Sequence, residues 1–142
     1  MNIYISHSRE FDFENELYKP IRESALNNFH TFFLPHENQR DSNNLEVLKN
    51  SDLIIAEVSF PSTGQGIEIG VANMLNIPVI CFYKEGKKLS GSLKYATDKF
   101  ITYLDSQDII SKISKFLSKW VLILYQSILK KSGIDVFIML CA

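Results

Sequence analysis

The chain has 142 residues, 46% of them hydrophobic, and a formal charge of −1 at neutral pH. That length suits one domain able to bury a core without disulfide or metal staples. The charge balance excludes the basic footprint of a duplex-DNA binder or an anionic-membrane binder, and two cysteines, Cys81 and Cys141, make neither a disulfide framework nor a metal set.

The opening Met-Asn-Ile-Tyr-Ile-Ser has no signal-peptide pattern, so a cytoplasmic setting is expected. Residues 2–6 read as a first strand, followed by the polar loop of His7, Ser8, Arg9 and Glu10. Asp12 is placed to cap a helix running to about Asn28, with Phe13, Leu17, Ile21 and Leu26 on its apolar face. Pro20 inside that pattern predicts a kink or a split. Residues 31–34 make a short second strand ended by Pro35, and Leu45, Val47 and Leu48 suggest a short helix after a polar loop. A central strand over residues 53–58, a fourth over 78–83 and a fifth over 100–104 complete the set. Strands alternating with helices predict a single α/β domain, doubly wound and Rossmann or flavodoxin-like, with five parallel strands flanked by helices.

From Ser106 a helical pattern carries Ile109, Ile113, Phe116 and Leu117, with Lys112, Lys115 and Lys119 along its polar side. After Trp120 it becomes apolar nearly all round, too short to span a bilayer and interrupted by Lys130 and Lys131. The expected division is therefore an α/β domain over residues 1–119 and an apolar helix or tail over 120–142, with residues 136–142 a possible added strand. A buried or subunit-facing role is expected for the apolar helix.

The most informative stretch runs from Asp52 to Gly70. A buried strand leads into a Pro-Ser-Thr-Gly turn, and a helix opens on Gly64 and Gly66. Each glycine costs about 1 kcal/mol against alanine inside a helix, and its use there is close approach of the backbone to a ligand. N–H groups at a helix start form an anion site, Ser62 adds a hydroxyl, and Glu68 follows one turn later. The alternative is structural: Ser62 and Gln65 have capping-box spacing, and a glutamate near a helix N-terminus is favoured by the helix dipole alone. Capping, however, needs no glycine pair. His30 and His36 have no partners at metal-ligand spacing and read as structural or surface residues, so no metal is expected.

The run Ala56-Glu-Val-Ser-Phe-Pro-Ser-Thr-Gly-Gln-Gly-Ile-Glu-Ile-Gly70 resembles the signature of the nucleoside 2-deoxyribosyltransferase superfamily. It is most similar to the branch of 2'-deoxynucleoside 5'-phosphate N-hydrolases, which carry A-E-V-x-x-P-S-x-G-x-G-x-E-x-G. The resemblance is dense here and looser from Met1 to about Phe100. It implies that Glu68 is the carboxylate that attacks the anomeric carbon, and that Tyr4 positions it. It implies that Ser62, Gly64 and Gly66 cradle a 5'-phosphate, and that Ser90 reaches the neighbouring subunit's phosphate in a homodimer. Ser6, His7, Ser8 and Arg9 fall where the family has a Gly/Ser loop and a basic residue, and Arg9 could pair with a phosphate. No cofactor is implied.

One position departs from the family. An acid thought to protonate the leaving base stands eight residues before the aspartate that opens the central strand, and here that position is Asn44. Asp41, three residues earlier, would share a helical face with it and is the expected substitute. Three readings follow: hydrolysis of the N-glycosidic bond of deoxynucleoside 5'-monophosphates, transfer of deoxyribose between bases, or nucleotide sensing without turnover. The first is favoured because Ser62 and Ser90 suit a phosphate. In each the partner is a small molecule, with neither nucleic acid nor membrane involved.

Overall fold

The computed structural model describes residues 1–37 and 44–131. Five strands, β1 (Asn2–His7), β2 (Thr31–Phe33), β3 (Leu53–Glu57), β4 (Val79–Lys84) and β5 (Phe100–Tyr103), form one sheet in the order β2-β1-β3-β4-β5. Every pairing is parallel. This is the flavodoxin-like order, in which the chain reverses its direction of travel between β1 and β3 and ligands sit beyond the carboxyl ends there.

The sheet is covered on both faces, so β3 is buried at every position. Its alternation divides the core. Ile3, Ile5, Leu53, Ile55, Ile80 and Phe82 pack with Leu17, Ile21, Ile109, Ile113 and Leu117 on one face. Tyr4, Ile54, Ala56, Val79 and Cys81 pack with Leu48, Ile69 and Ala72 on the other. The first face carries α1 (Lys19–Glu23) and α4 (Ser106–Lys131); the second carries α2 (Asn44–Lys49) and α3 (Thr63–Met74).

The helix expected from Asp12 to Asn28 is broken into three pieces. A π-turn over Glu14–Tyr18 leads into α1, and a 3-10 turn follows over Ala25–Asn28. The cause is Pro20, which has no N–H to give and whose ring would meet the carbonyl four residues back. The Lys19 N–H instead reaches five residues back to the Glu14 carbonyl, widening the turn ahead of the proline. Ser24 is extended (φ −79°, ψ 153°), and the Ile21 carbonyl at the helix end accepts from the Ser24 N–H at 3.1 Å, the Ser24 hydroxyl at 2.7 Å and Asn27 Nδ2 at 2.6 Å.

Asp105 caps α4 by accepting the N–H groups of Gln107 and Asp108, both at 2.9 Å. Ile109, Ile113 and Leu117 recur at four-residue spacing and bury one stripe of the helix, each contributing about 1.5–3 kcal/mol. The helix continues unbroken past Lys119, but Val121, Leu124, Tyr125 and Ile128 stand exposed. Among the described residues no helix is long and apolar enough to cross a membrane, and no group of His, Cys, Asp and Glu could hold a metal ion. Cys81 is a buried free thiol, pushed up to about 12 by burial. Cys141, Asp41 and the strand expected over residues 136–142 lie outside the described residues.

Candidate active site

Tyr4 and Ser6 alternate onto the α3 face of β1 and aim at the helix. The Tyr4 hydroxyl donates to Glu68 Oε1 at 2.7 Å, and the Ser6 hydroxyl donates to Glu68 Oε2 at 2.6 Å. Both carboxylate oxygens are thus held by strand side chains, which fixes the plane of the group at the sheet's carboxyl edge. Tyr4 is wholly buried and stacks on Phe33, with ring centroids 5.3 Å apart. Burial, then the bond to Glu68, drive its phenol upward, so it remains a donor throughout the physiological range.

The capping-box reading of Ser62 and Gln65 does not hold. Ser62 is the N-cap residue of α3 but makes no side-chain capping bond. Gln65 is turned inward, where its Nε2 donates to the Ser6 carbonyl at 3.1 Å and the Glu57 carbonyl at 2.6 Å. It bridges the ends of β1 and β3 at the point where the sheet reverses. The spacing predicted a cap, and packing turns Gln65 to the strand ends instead. A Cβ at Gly66 would meet nothing within 4 Å, and one at Gly64 only Ser62 Oγ at 4.0 Å. Packing within the chain therefore does not require these glycines, and the space beside them is open to an approaching group.

Ser62, Thr63, Gly66, Ser90 and Ser92 line a cavity of about 320 Å³ whose apolar wall includes Phe60, Ile69 and Leu93. Ser90 Oγ lies 2.8 Å from Ser92 Oγ. Phe60 stacks on Phe11 at 5.6 Å between centroids, and Lys87 Nζ sits 4.2 Å over its ring. Glu68, Tyr4 and Ser6 do not line this cavity. The cavity thus adjoins the first turns of α3, and the held carboxylate lies outside its lining.

The loop after β1 is partly folded into the core. His7 alternates to the face opposite Ser6 and is buried among aromatic rings, with Phe13 at 4.5 Å and Tyr18 at 5.1 Å. Its Nδ1 donates to the Ser8 carbonyl at 2.7 Å, so its Nε2 accepts from the Tyr18 hydroxyl at 2.6 Å. Burial lowers the imidazole to about 4, leaving it neutral. Ser8 is buried and accepts the Glu10 N–H, whereas Arg9 is exposed, its charge pressing on both His7 and His36. Asn44 is the first residue of α2, on the same face of the sheet as Glu68.

Thr63, Ser92, Phe60 and Lys87 were not singled out from the sequence. Thr63 alone had a signal, its place in the turn beside Ser62. Phe60 stands at an unspecified position of the same run, and Ser92 and Lys87 arrive from a separate segment and carry no motif.

No family model matches the chain. A Trichoplax adhaerens protein provisionally named 2'-deoxynucleoside 5'-phosphate N-hydrolase 1 is 34% identical over 76 residues, covering 50% of this chain and 53% of that protein. The rat 5-hydroxymethyl-dUMP N-hydrolase is 38% identical over 56 residues, covering 38% of this chain and 34% of that one. The pike (Esox lucius) protein of that name is 41% identical over 56 residues, covering 38% and 39%. The chain thus spans about half or less of the length of these relatives. A Clostridium botulinum CMP N-glycosidase has the same fold, with TM-score 0.58 and 20% identity, over 80% of this chain and 99% of that one. A Bacillus psychrosaccharolyticus 2-deoxyribosyltransferase follows at TM-score 0.52 and 24% identity, over 77% and 90%. By sequence the chain is similar to deoxynucleoside 5'-phosphate N-hydrolases, and it shares its fold with the CMP N-glycosidase and the 2-deoxyribosyltransferase.

Proposed function

We propose that the chain hydrolyses the N-glycosidic bond of 2'-deoxynucleoside 5'-monophosphates, giving the free base and deoxyribose 5-phosphate. The observation that carries this reading is the Glu68 carboxylate, gripped on both oxygens by Tyr4 and Ser6 beside a helix start that carries an uncapped Ser62. Glu68 attacks the anomeric carbon as the C–N bond breaks, and the bonding pair leaves with the base, which takes up a proton. Water then cleaves the glycosyl ester and restores the carboxylate. A 2-deoxy sugar forms the oxocarbenium-like transition state readily, because no 2-hydroxyl withdraws electrons from it. The relatives' names, which specify N-hydrolases acting on deoxynucleotides, support the same substrate class.

The family resemblance also implies a homodimer in which each Ser90 serves the other copy's phosphate, although Ser90 and Ser62 line one cavity within a single chain. Exposed Ile67 and Met74 on α3, the latter 83% accessible, supply an apolar face for that contact. Light scattering on the purified chain should give twice the monomer mass. A cytoplasmic location, where deoxynucleotides are available, belongs to the same reading.

The direct test is base release from a panel of deoxynucleoside 5'-monophosphates and plain deoxynucleosides, with Glu68→Gln in parallel. Release from the monophosphates, lowered at least about a thousandfold in the variant, is expected for loss of a nucleophile. Base exchange on plain deoxynucleosides faster than hydrolysis would move the assignment to a transferase. Asn44, in place of the family's acid, favours a second reading: a nucleotide binder without turnover. Monophosphates that raise the thermal midpoint but release no base would establish it.

A further inference from the structure

Glu57 closes the central strand with 1% of its surface exposed, and no step proposed above uses it. Its side chain shares a face with Leu53 and Ile55, away from Glu68. One carboxyl oxygen, Oε1, accepts from the Ser59 hydroxyl, from the Ser59 N–H at 3.2 Å and from the Tyr103 hydroxyl at 3.0 Å. Ser59 Oγ in turn accepts the Lys84 N–H at 2.7 Å. A single carboxyl therefore ties the ends of β3, β4 and β5 to the first residues of the turn leading to Ser62. The other oxygen, Oε2, is buried with no hydrogen-bond partner.

The same residue holds the far end of that turn, because its main-chain carbonyl takes the Gln65 side chain at 2.6 Å. Side chain on Ser59 and carbonyl on Gln65 bracket residues 60–64, the segment that presents the Ser62 hydroxyl and the first N–H groups of α3. Burial raises the carboxyl, favouring a neutral acid, with the donors on Oε1 pulling the other way. Every bond falls on Oε1 and none on Oε2, so an amide with its oxygen in the Oε1 place keeps all three donors.

We propose that Glu57 is the positioning residue of the monophosphate cradle: through Ser59 and Gln65 it sets the place of Ser62 and the α3 N-terminus, and so governs affinity for the 5'-phosphate rather than breakage of the glycosidic bond. The proposal rests on the nucleotide reading above and concerns a group that touches no substrate.

The test compares Glu57→Ala and Glu57→Gln in the full chain. It measures KM and kcat on monophosphates and plain deoxynucleosides, thermal shift by monophosphates, and amide exchange over residues 59–66. The alanine variant should raise KM for monophosphates about tenfold or more, the scale of one lost buried hydrogen bond. Its kcat should stay within about threefold, with KM for plain deoxynucleosides unchanged and the Ser59 amide exchanging faster. The glutamine variant should match wild type within about twofold throughout. Unchanged KM in the alanine variant, a fall confined to kcat, or glutamine as damaging as alanine would overturn the proposal. If the alanine variant does not fold, Ser59→Ala and Tyr103→Phe each remove one donor and should give smaller shifts of the same kind. A wild type that binds monophosphates without cleaving them would sink the hydrolase reading but leave this one to the thermal shifts and amide exchange. A wild type that neither binds nor cleaves them would overturn both.

Discussion

The two flanks of the candidate site, the held carboxylate and the open cavity, are built differently. On one, Glu68 is held at 2.7 and 2.6 Å by the buried Tyr4 and Ser6 side chains of β1. On the other, Ser62 caps nothing, Ser90 and Ser92 bond only to each other among the described contacts, and a cavity of about 320 Å³ stands open. A reacting carboxylate gains most from being fixed before substrate arrives, since reorientation during the reaction adds to the barrier. A phosphate carries its own charge and can recruit loop hydroxyls, so its site tolerates being completed on binding. The contrast separates groups expected to act on kcat from groups expected to act on KM.

The largest expected effect tests the end of the strand that holds Glu68, where His7 is buried on the opposite face of the sheet. His7 has an ordinary value near 6.5 and is lowered to about 4 in the fold. The folded chain therefore binds fewer protons than the unfolded chain between those values, so His7's contribution is complete above about 6.5 and is lost as pH falls toward 4. The loss is about 3 kcal/mol. Urea midpoints should drop steeply over that window in wild type and less steeply in His7→Gln. Equal slopes would mean that the imidazole is solvated.

Next come the two hydroxyls on Glu68. Bonds to a charged acceptor contribute about 1.5–3 kcal/mol, so Tyr4→Phe and Ser6→Ala should each lower kcat roughly tenfold to a hundredfold. Their KM for a monophosphate should hardly move. A rise in KM instead would place these residues on the ligand rather than on the carboxylate. The smallest effect belongs to the open flank: Ser62→Ala should raise KM for monophosphates about fivefold, a neutral hydroxyl's share, and leave kcat alone. Plain deoxynucleosides should show no change, and an equal change on them would remove the phosphate from this site.

Much of the α/β frame was legible because its signals are local. The apolar run over residues 53–58, stopped by Pro61, reads as a buried strand on its own, and the structure forms it over Leu53–Glu57. Pro20 announced a break, but a five-residue-back hydrogen bond leaves no mark in side-chain spacing, so the π-turn did not show. At the candidate site, the pairing of Tyr4 with Glu68 was implied by the family resemblance, and the inward turn of Gln65 was not. Its spacing from Ser62 fits a cap as well as it fits an inward strut. His7 was read as part of a polar loop, yet neighbours from residues 11–18 and His36 enclose it, and none of them is adjacent in sequence.

The sequence by itself determined the order of strands and helices and the strand-turn-helix with its glycine pair. These follow from backbone sterics and hydrophobic period, which act over a few residues. Only the tertiary structure decided which side chains meet. Tyr4 and Glu68 are separated by 64 residues and Glu57 and Tyr103 by 46, and each pair joins because parallel strands bring their carboxyl ends to one edge. Burial at that edge then settled the protonation of His7 and turned Gln65 inward, since a buried polar group takes whatever partner packing leaves within reach.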